Sequence, residues 1–393
     1  MLKIQNLDYS CTGCSACANI CPYSAISIGE NSEGFYSPFV NTTLCKDCGC
    51  CEKVCPALNE KNINRNDWSP YMFKSSSKEV LASSSSGGAF FTLADFILQK
   101  GGVVFGAKYN YVNNRLEHAS SDHCEISELM GSKYIESYIG ESYKSVKEHI
   151  LNGRYTMFVG SPCQVAGLRN YLGRLALNPK LLIVDFVCHG VPSNSHFTQY
   201  VKWLEKKNKS KLVRYDFRTK VNGWRGSTIY SEYSNGLKKY TPIIKSYYNY
   251  AFNHNWILRR SCYECKILNS HLSDITIGDF WGITAIDKYK DDSEGISILI
   301  SNSSKGSDLL KYIQQGNFLL SVDKKYVKYI YDERQNNHAY KSLVNKRDAL
   351  VSMINIKGFI PVIRHEYWKK CFWMRFKMYI KDILIQWGIW GTT

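Results

Sequence analysis

Beyond Gly102 the chain alternates short apolar runs with amphipathic stretches, and that alternation predicts strands and helices in turn. VVFGA (103–107), YTMFVG (155–160) and LLIVDFV (181–187) have the length and β-branched content of buried strands. SVKEHIL (145–151), Gln164 to Leu175 and Ser195 to Lys206 space their apolar residues as one helix face. LVRYDFR (212–218) reads as a further strand, and IYSEYSNGLKKY (229–240) as a hairpin around Asn235-Gly236. Ile243 to Leu258 is helix-like, and Ile296–Ile300, Lys305–Gln314 and Phe318–Val322 give strand, helix, strand. Strands alternating with helices predict parallel pairing with helices on the sheet faces. The expected body is an α/β domain with a mixed, mostly parallel sheet. Ligands of such sheets bind outside the carboxyl ends of strands, which puts Ser161–Gln164 and Cys188–Ser193 in candidate positions.

Ahead of this region the pattern is set by cysteine. Cys11 to Pro22 reads CTGCSACANICP and Cys45 to Pro56 reads CKDCGCCEKVCP, each a C-x2-C-x2-C-x3-C-P run. This is the bacterial ferredoxin spacing, in which the fourth cysteine of each run ligates the cluster held mainly by the other. Cys11, Cys14, Cys17 and Cys55 are therefore expected to hold one 4Fe-4S cluster, and Cys45, Cys48, Cys51 and Cys21 a second. Structural zinc would use ligands in pairs, and a disulfide framework would not need two runs of matching internal spacing. Cys50 falls outside the ligand register and is expected to be a small packed residue. The first domain is an α+β ferredoxin-like dicluster domain over residues 1–60. Residues 61–75 are expected to be a linker, because NEKNINRNDWSP (59–70) is polar and rich in breakers.

In Leu81–Leu98 (LASSSSGGAFFTLADFIL) serines and glycines precede a helix face of Phe90, Leu93, Ala94 and Ile97. A Ser/Gly loop opening a helix exposes N–H groups and the positive dipole end, which suits an anion; an ordinary capped start has the same look. At the other end, EYWKKCFWMRFKMYIKDILIQWGIW (366–390) carries an apolar stripe of Trp368, Phe372, Phe376, Tyr379, Ile380, Ile383, Leu384 and Trp387 flanked by lysine and arginine. A basic helix with an aromatic face suits peripheral contact with an anionic membrane, and equally docking on the protein's own core or a second subunit. Residues 336–393 are taken as a helical C-terminal region ending in this tail.

Fifteen cysteines with no apolar h-region at the N-terminus point to metal ligation in a reducing, cytoplasmic setting. The longest apolar runs are too short to span a bilayer, which takes about 20 residues. The formal net charge is +16. Yet residues 1–60 set only Lys3, Lys46 and Lys53 against Asp8, Glu30, Glu33, Asp47, Glu52 and Glu60. An acidic head thus sits on a basic body. The basic residues are dispersed and match no nucleic-acid motif, so no nucleic acid partner is expected.

Seven motifs then arrive in order: SSSSGGAF (83–90), GSKYIES (131–137), VGSPCQVAGL (159–168), DFVCHGVPS (185–193), FRTKVNGW (217–224), CYEC (262–265) and DITIGDFWG (274–282). Together they resemble the family of coenzyme F420 hydrogenase and dehydrogenase beta subunits, over most of residues 70–320. The resemblance implies an FAD-binding domain, bounded here as 76–335. It implies that Ser85, Ser86, Gly87 and Gly88 belong to the FAD pyrophosphate loop, and that Ser132, Lys133 and Tyr134 are further FAD contacts. It also implies a third 4Fe-4S cluster on Cys163, Cys188, Cys262 and Cys265; a core thiol, a flavin-side contact and a small metal clip are the alternative. His189 would orient the flavin or shuttle a proton, or be structural, and Asp279 shares that ambiguity with the structural reading ahead.

The implied function is a flavin- and iron-sulfur-dependent oxidoreductase. Electrons would pass between a ferredoxin or other carrier protein, the clusters, FAD and a small-molecule hydride acceptor, with coenzyme F420 one candidate. Two rivals stand beside it: an electron-transfer subunit with no substrate of its own, seated in a larger redox complex or homo-oligomer, and a reductase of a sugar or lipid-linked intermediate at the membrane face.

Overall fold

The computed structural model describes residues 3–59, 68–268, 270–286, 293–327 and 338–386, with side chains of 338–342 and 373–386 left aside. The strands in chain order are β1 (Ile26–Glu30), β2 (Tyr36–Val40), β3 (Ser69–Lys74), β4 (Val103–Asn110), β5 (Arg115–Ser120), β6 (Thr156–Gly160), β7 (Leu181–Phe186), β8 (Leu212–Thr219), β9 (Thr228–Tyr233), β10 (Lys238–Pro242), β11 (Ile275–Asp279), β12 (Ser297–Ser301) and β13 (Phe318–Ser321). The helices are α1 (Ala16–Ile20), α2 (Cys50–Val54), α3 (Lys78–Ser83), α4 (Ala89–Gln99), α5 (Ile126–Leu129), α6 (Ser142–Leu151), α7 (Pro162–Leu172), α8 (Asn194–Asn208), α9 (Tyr247–Asn253) and α10 (Ser304–Ile313). Two long C-terminal helices follow, His338–Lys357 and Phe359–Gln386.

Eight strands form one mixed sheet in the order β13-β3-β12-β11-β7-β6-β4-β5. Its centre, β4, β6, β7 and β11, is parallel. β3 shares that direction, and β5, β12 and β13 oppose it, so five of the eight strands run one way. Along β7 the pleat divides the core. Leu181 and Ile183 pack with α6 and α7, while Leu182 and Val184 pack with α4 and α10.

Three expectations need correction. The supposed linker to residue 75 ends early: Ser69–Lys74 is strand β3, held between β12 and β13, and its Met72 and Phe73 are fully buried. The apolar pair was outweighed by neighbouring breakers. β8 does not extend the main sheet; with β9 and β10 it makes a separate antiparallel sheet over a second core of aromatic residues from α8 and α9. Finally, Ile243–Leu258 is a short turn followed by α9, which ends at Asn253.

The cysteine-rich head folds as two matching halves. Gly13 and Ser15, two and four residues beyond Cys11, have positive φ, as do Asp47 and Gly49 beyond Cys45. Each pair turns the chain into a short helix, α1 or α2. Cys14, Ala16 and Val54 pack into the core of α7, and Asn170 Nδ2 donates to the Val54 carbonyl at 3.1 Å. The β1–β2 turn carries Glu33 to Arg347, whose guanidinium is fully buried and bidentate at 2.6 Å on each nitrogen.

On the C-terminal helix Trp368 and Phe372 are exposed. Phe376, Tyr379, Ile380, Ile383 and Leu384 lie among the side chains left aside, and Trp387 outside the described residues. Among the described residues no helix is long and apolar enough to cross a membrane.

Candidate functional site: three cysteine sets and a cavity

Cys11, Cys14, Cys17 and Cys55 lie close enough to feel one another's charges. Cys14 feels the charges of Cys17, Cys55 and Cys11, and burial is the main reason its thiol titrates far above the usual range. Burial dominates likewise at Cys17, beside Cys11 and Cys55. A bare thiolate is costly at such positions, and iron supplies the positive charge that offsets it. The second set, Cys21, Cys45, Cys48 and Cys51, lines one small hollow with Tyr23. Cys48 is exposed there, and Tyr23 is 47% exposed. Cys50 is half-buried in the wall of the same hollow instead of packed in the core.

Cys163, Cys188, Cys262 and Cys265 come from three segments and converge. Cys163 neighbours Cys188, Cys265 and Cys14, while Cys262 neighbours Cys188, Cys265 and Cys163. Burial again pushes both Cys163 and Cys262 up. Cys163 sits in the first turn of α7, fixed by Pro162 and by the reciprocal capping box of Ser161 and Gln164. One turn on, Gly167 faces Cys14: a Cβ at Gly167 would stand 3.1 Å from the Cys14 sulfur.

Cys188 shares a local device with the head. The Gly190 N–H donates to its sulfur at 3.3 Å, as Gly13 does to Cys11 and Asp47 to Cys45, each at 3.5 Å. Donors to thiolate sulfur tune cluster potentials. Among the described residues no three His, Cys, Asp or Glu side chains are gathered for a single metal ion. A cubane makes no such demand, because its four thiolates bind four irons.

Cys163 also lines a cavity of about 300 Å³ at the carboxyl ends of β6, β7 and β11, at the lower end of the range for small-molecule sites. Ser85, Ser86, Gly88, Ser132, Lys133, Tyr134 and His189 all line it, as do Thr12 and Gly13 from the first cysteine run. Ser85 Oγ accepts from the Ser132 N–H at 2.9 Å, joining the two loops. Gly88, with φ of +90°, turns into α4 with no side-chain cap, leaving the first N–H groups of that helix at the cavity. Lys133 Nζ rests on the Met130 carbonyl at 2.6 Å, and burial pushes its ammonium down to about 8. This end suits an anion. His189 lies edge-on to Phe252, which stacks on Tyr134, so a flat ring has aromatic neighbours.

Gly87 differs from its neighbours. It does not line the cavity; its N–H donates to Ser297 Oγ at 2.9 Å, and a Cβ there would fall 2.4 Å from the Phe73 carbonyl oxygen and 2.6 Å from the Ser297 nitrogen. Both obstacles are backbone. Gly87→Ala is expected to lower the unfolding free energy by about 1–3 kcal/mol, measured by denaturant titration, whereas an unchanged midpoint would contradict this packing role.

One wall residue, His118, carries no local sequence signal. His118 Nε2 donates to the Val159 carbonyl, and since Gln164 Nε2 donates to Ser137 Oγ, the Ser137 hydroxyl donates to His118 Nδ1. Burial pushes this histidine down to about 4, so it is neutral near pH 7. Asp279 pairs with buried Arg218 and accepts from Trp224 Nε1, which supports its structural reading although it borders the cavity. Glu136 and Arg259 form a buried ion pair at 2.7 Å beside Cys11.

Residues 153–325 match the family described as the carboxyl-terminal part of the coenzyme F420 hydrogenase/dehydrogenase beta subunit, and residues 10–59 match the 4Fe-4S dicluster domain. The chain is 23% identical over 285 residues to a subunit of the F(420)H(2) dehydrogenase of Methanosarcina mazei, covering 68% of this chain and 75% of the relative. It is 31% identical over 62 residues to the "Ferredoxin 7Fe" of Hydrogenibacillus schlegelii, covering 15% of this chain and 73% of that one. A chain of the F420-reducing [NiFe] hydrogenase complex from Methanosarcina barkeri superposes with a TM-score of 0.45 at 18% identity, covering 72% of this chain and 91% of that one.

Proposed function

We propose, since residues 153–325 match the family described as the carboxyl-terminal part of the coenzyme F420 hydrogenase/dehydrogenase beta subunit and residues 10–59 match the 4Fe-4S dicluster domain, that this iron-sulfur oxidoreductase-type chain is a flavoprotein relaying electrons between a one-electron carrier and a small-molecule hydride partner. The observation that carries the reading is continuity: Cys14 neighbours Cys163, and Cys163 lines the cavity. In this reading the exposed Cys48 set meets the carrier, the Cys11 set is the middle station, and the Cys163 set stands at the cavity wall. Bound there, iron-sulfur centres supply single-electron transfer and FAD stores two electrons for release as a hydride.

The residues fit such a ligand. The uncapped start of α4 with Ser85, Ser86 and Lys133 suits a pyrophosphate, and Tyr134, Phe252 and His189 suit the flat ring. The chain's work is to hold the ring against the Cys163 set, bind the anionic end and keep the path out of water. The name of the Methanosarcina mazei relative supports coenzyme F420 as one candidate hydride partner. That relative is one subunit of its dehydrogenase, which favours a second reading in which this chain serves a larger redox enzyme.

Anaerobic reconstitution with iron, sulfide and FAD tests the proposal. Fewer than two clusters, or no retained flavin, would sink it. Affinity for FAD carries a pH signature as well. An anion beside Lys133 raises its pKa above the free value of about 8, so binding is tightest below that pH and weakens as pH rises through it. FAD fluorescence titrations between about pH 7 and 9 should show this decline, and Lys133→Met should weaken binding and flatten the curve. A flat wild-type curve would remove Lys133 from the anion site.

A further inference from the structure

Arg259 stands where the first cysteine set meets the third. It lies three residues before Cys262, and its backbone N–H donates to the Val191 carbonyl at 2.8 Å, in the loop that follows Cys188. The residue is 4% exposed. Its Nη1 donates to the Cys11 carbonyl at 3.1 Å, and its Nη2 to the Tyr36 carbonyl and to Glu136 Oε2, both at 2.7 Å. The guanidinium covers the Phe35 ring at 4.9 Å. After Glu136, the charges it senses are those of Cys11 and then Cys262. Ser261, beside Cys262, donates its hydroxyl to the same Cys11 carbonyl at 3.0 Å, so the two ligand loops share a direct hydrogen bond.

The sequence of the first run makes room for this cation. A Cβ at Gly13 would fall 2.6 Å from Arg259 Nη2, and Gly13 also needs its φ of +71°. Glu136 is equally buried and accepts the Tyr36 N–H at 3.2 and 3.3 Å, so the carboxylate is held against the guanidinium.

We propose that Arg259 is the positioning residue that sets the electron equilibrium between the first and third cysteine sets, with Glu136 as its counterweight. The inference rests on the reading that these sets hold iron-sulfur centres. A centre gains one negative charge on reduction, and a buried cation stabilises that charge more strongly than water would allow. Arg259 therefore raises the potential of the Cys11 set most and of the Cys262 set less, and Glu136 offsets part of the effect. The step governed is a one-electron exchange: one set is oxidised by one electron, the other is reduced by it, and no bond or proton moves. The electron itself comes from a one-electron donor protein at the exposed second set.

The test is an anaerobic redox titration of the reconstituted full chain, followed by electron paramagnetic resonance. Arg259→Gln should lower the potential of the first centre, by about tenfold in its reduction equilibrium, or about 59 mV for one electron. Glu136→Gln should raise it. Arg259→Lys, which keeps the charge, should stay near wild type, and the double variant Arg259→Gln with Glu136→Gln should fall between the singles. The Cys21, Cys45, Cys48 and Cys51 centre, at the set that includes the exposed Cys48, should not move and serves as the internal reference. Opposite shifts from the two single variants support the proposal, because a merely structural role would not reverse sign. Shifts of the same sign, no shift, or an equal shift at the reference centre would overturn it. If Arg259→Gln fails to fold, Glu136→Gln alone still decides by its direction. Should iron analysis find two centres instead of three, the reading of the third set fails, while the shifts at the first centre still judge Arg259.

Discussion

A Cys163→Ala protein, reconstituted anaerobically, is expected to hold about eight irons per chain in place of about twelve, four having gone with the third centre. It is also expected to lose reduction of flavin by a one-electron donor while its two N-terminal centres still take up electrons. The reason lies in where Cys163 stands. Ser161, Pro162 and Gln164 fix the first turn of α7, and that turn points Cys163 toward Cys188 and Cys265 on one side and the cavity on the other. Removing it leaves three thiolates around a four-iron demand and breaks the contact nearest the cavity. Cys262→Ala should behave alike. Cys50→Ala, outside the ligand register, should change neither iron content nor electron transfer. Twelve irons in the Cys163 variant would place the third centre elsewhere, and about eight in wild type would remove it.

Arg347→Met is expected to destabilise the chain by about 3–5 kcal/mol, the cost of stranding one partner of a buried ion pair. Arg347 has no solvent exposure, and besides its bidentate contact with Glu33 it donates Nε to the Leu258 carbonyl at 2.8 Å. Glu33 belongs to the β1–β2 turn of the head, while Leu258 lies just before the Arg259–Cys265 segment. One side chain thus ties the head, the start of the Leu258–Cys265 segment and the C-terminal helix His338–Lys357 together. Glu33 retains 18% exposure, so the lower end of that range is expected. Denaturant unfolding measures it, and limited proteolysis should open the head first. A loss below about 1 kcal/mol, the level of an ordinary surface pair, would show that the head is held by other contacts.

Much of the fold is legible in the sequence. The two cysteine runs state their own chemistry because cluster ligation fixes spacing locally, and three strands of the parallel centre, β4, β6 and β7, announce themselves as apolar runs while β11 (ITIGD) does not. β3 did not, since Pro70 and the polar residues before it mimic a linker while its pairing partners β12 and β13 lie more than 200 residues downstream. β8 is predicted as a strand, but its place in a separate sheet is not; periodicity predicts an element and says nothing of its neighbours. The cavity residues divide in the same way. Ser85, Gly88, Ser132 and Lys133 belong to contiguous motifs, whereas His118 and Arg259 matter only through contacts with distant segments, and a single His or Arg in sequence carries no sign of burial. Gly87 shows the reverse case: motif membership suggested ligand contact, and its surroundings show the space of one hydrogen atom between two backbones.

In the proposed path electrons enter at the cysteine set that includes the exposed Cys48 and leave through a flavin at the Cys163 wall. Stopped-flow reduction of the anaerobically reconstituted full chain by a one-electron donor, with cluster and flavin absorbance recorded together, tests it most directly. The account predicts that the clusters bleach first and the flavin follows in wild type, and that the flavin stays oxidised in Cys163→Ala. Flavin that reduces equally fast in both proteins would contradict it.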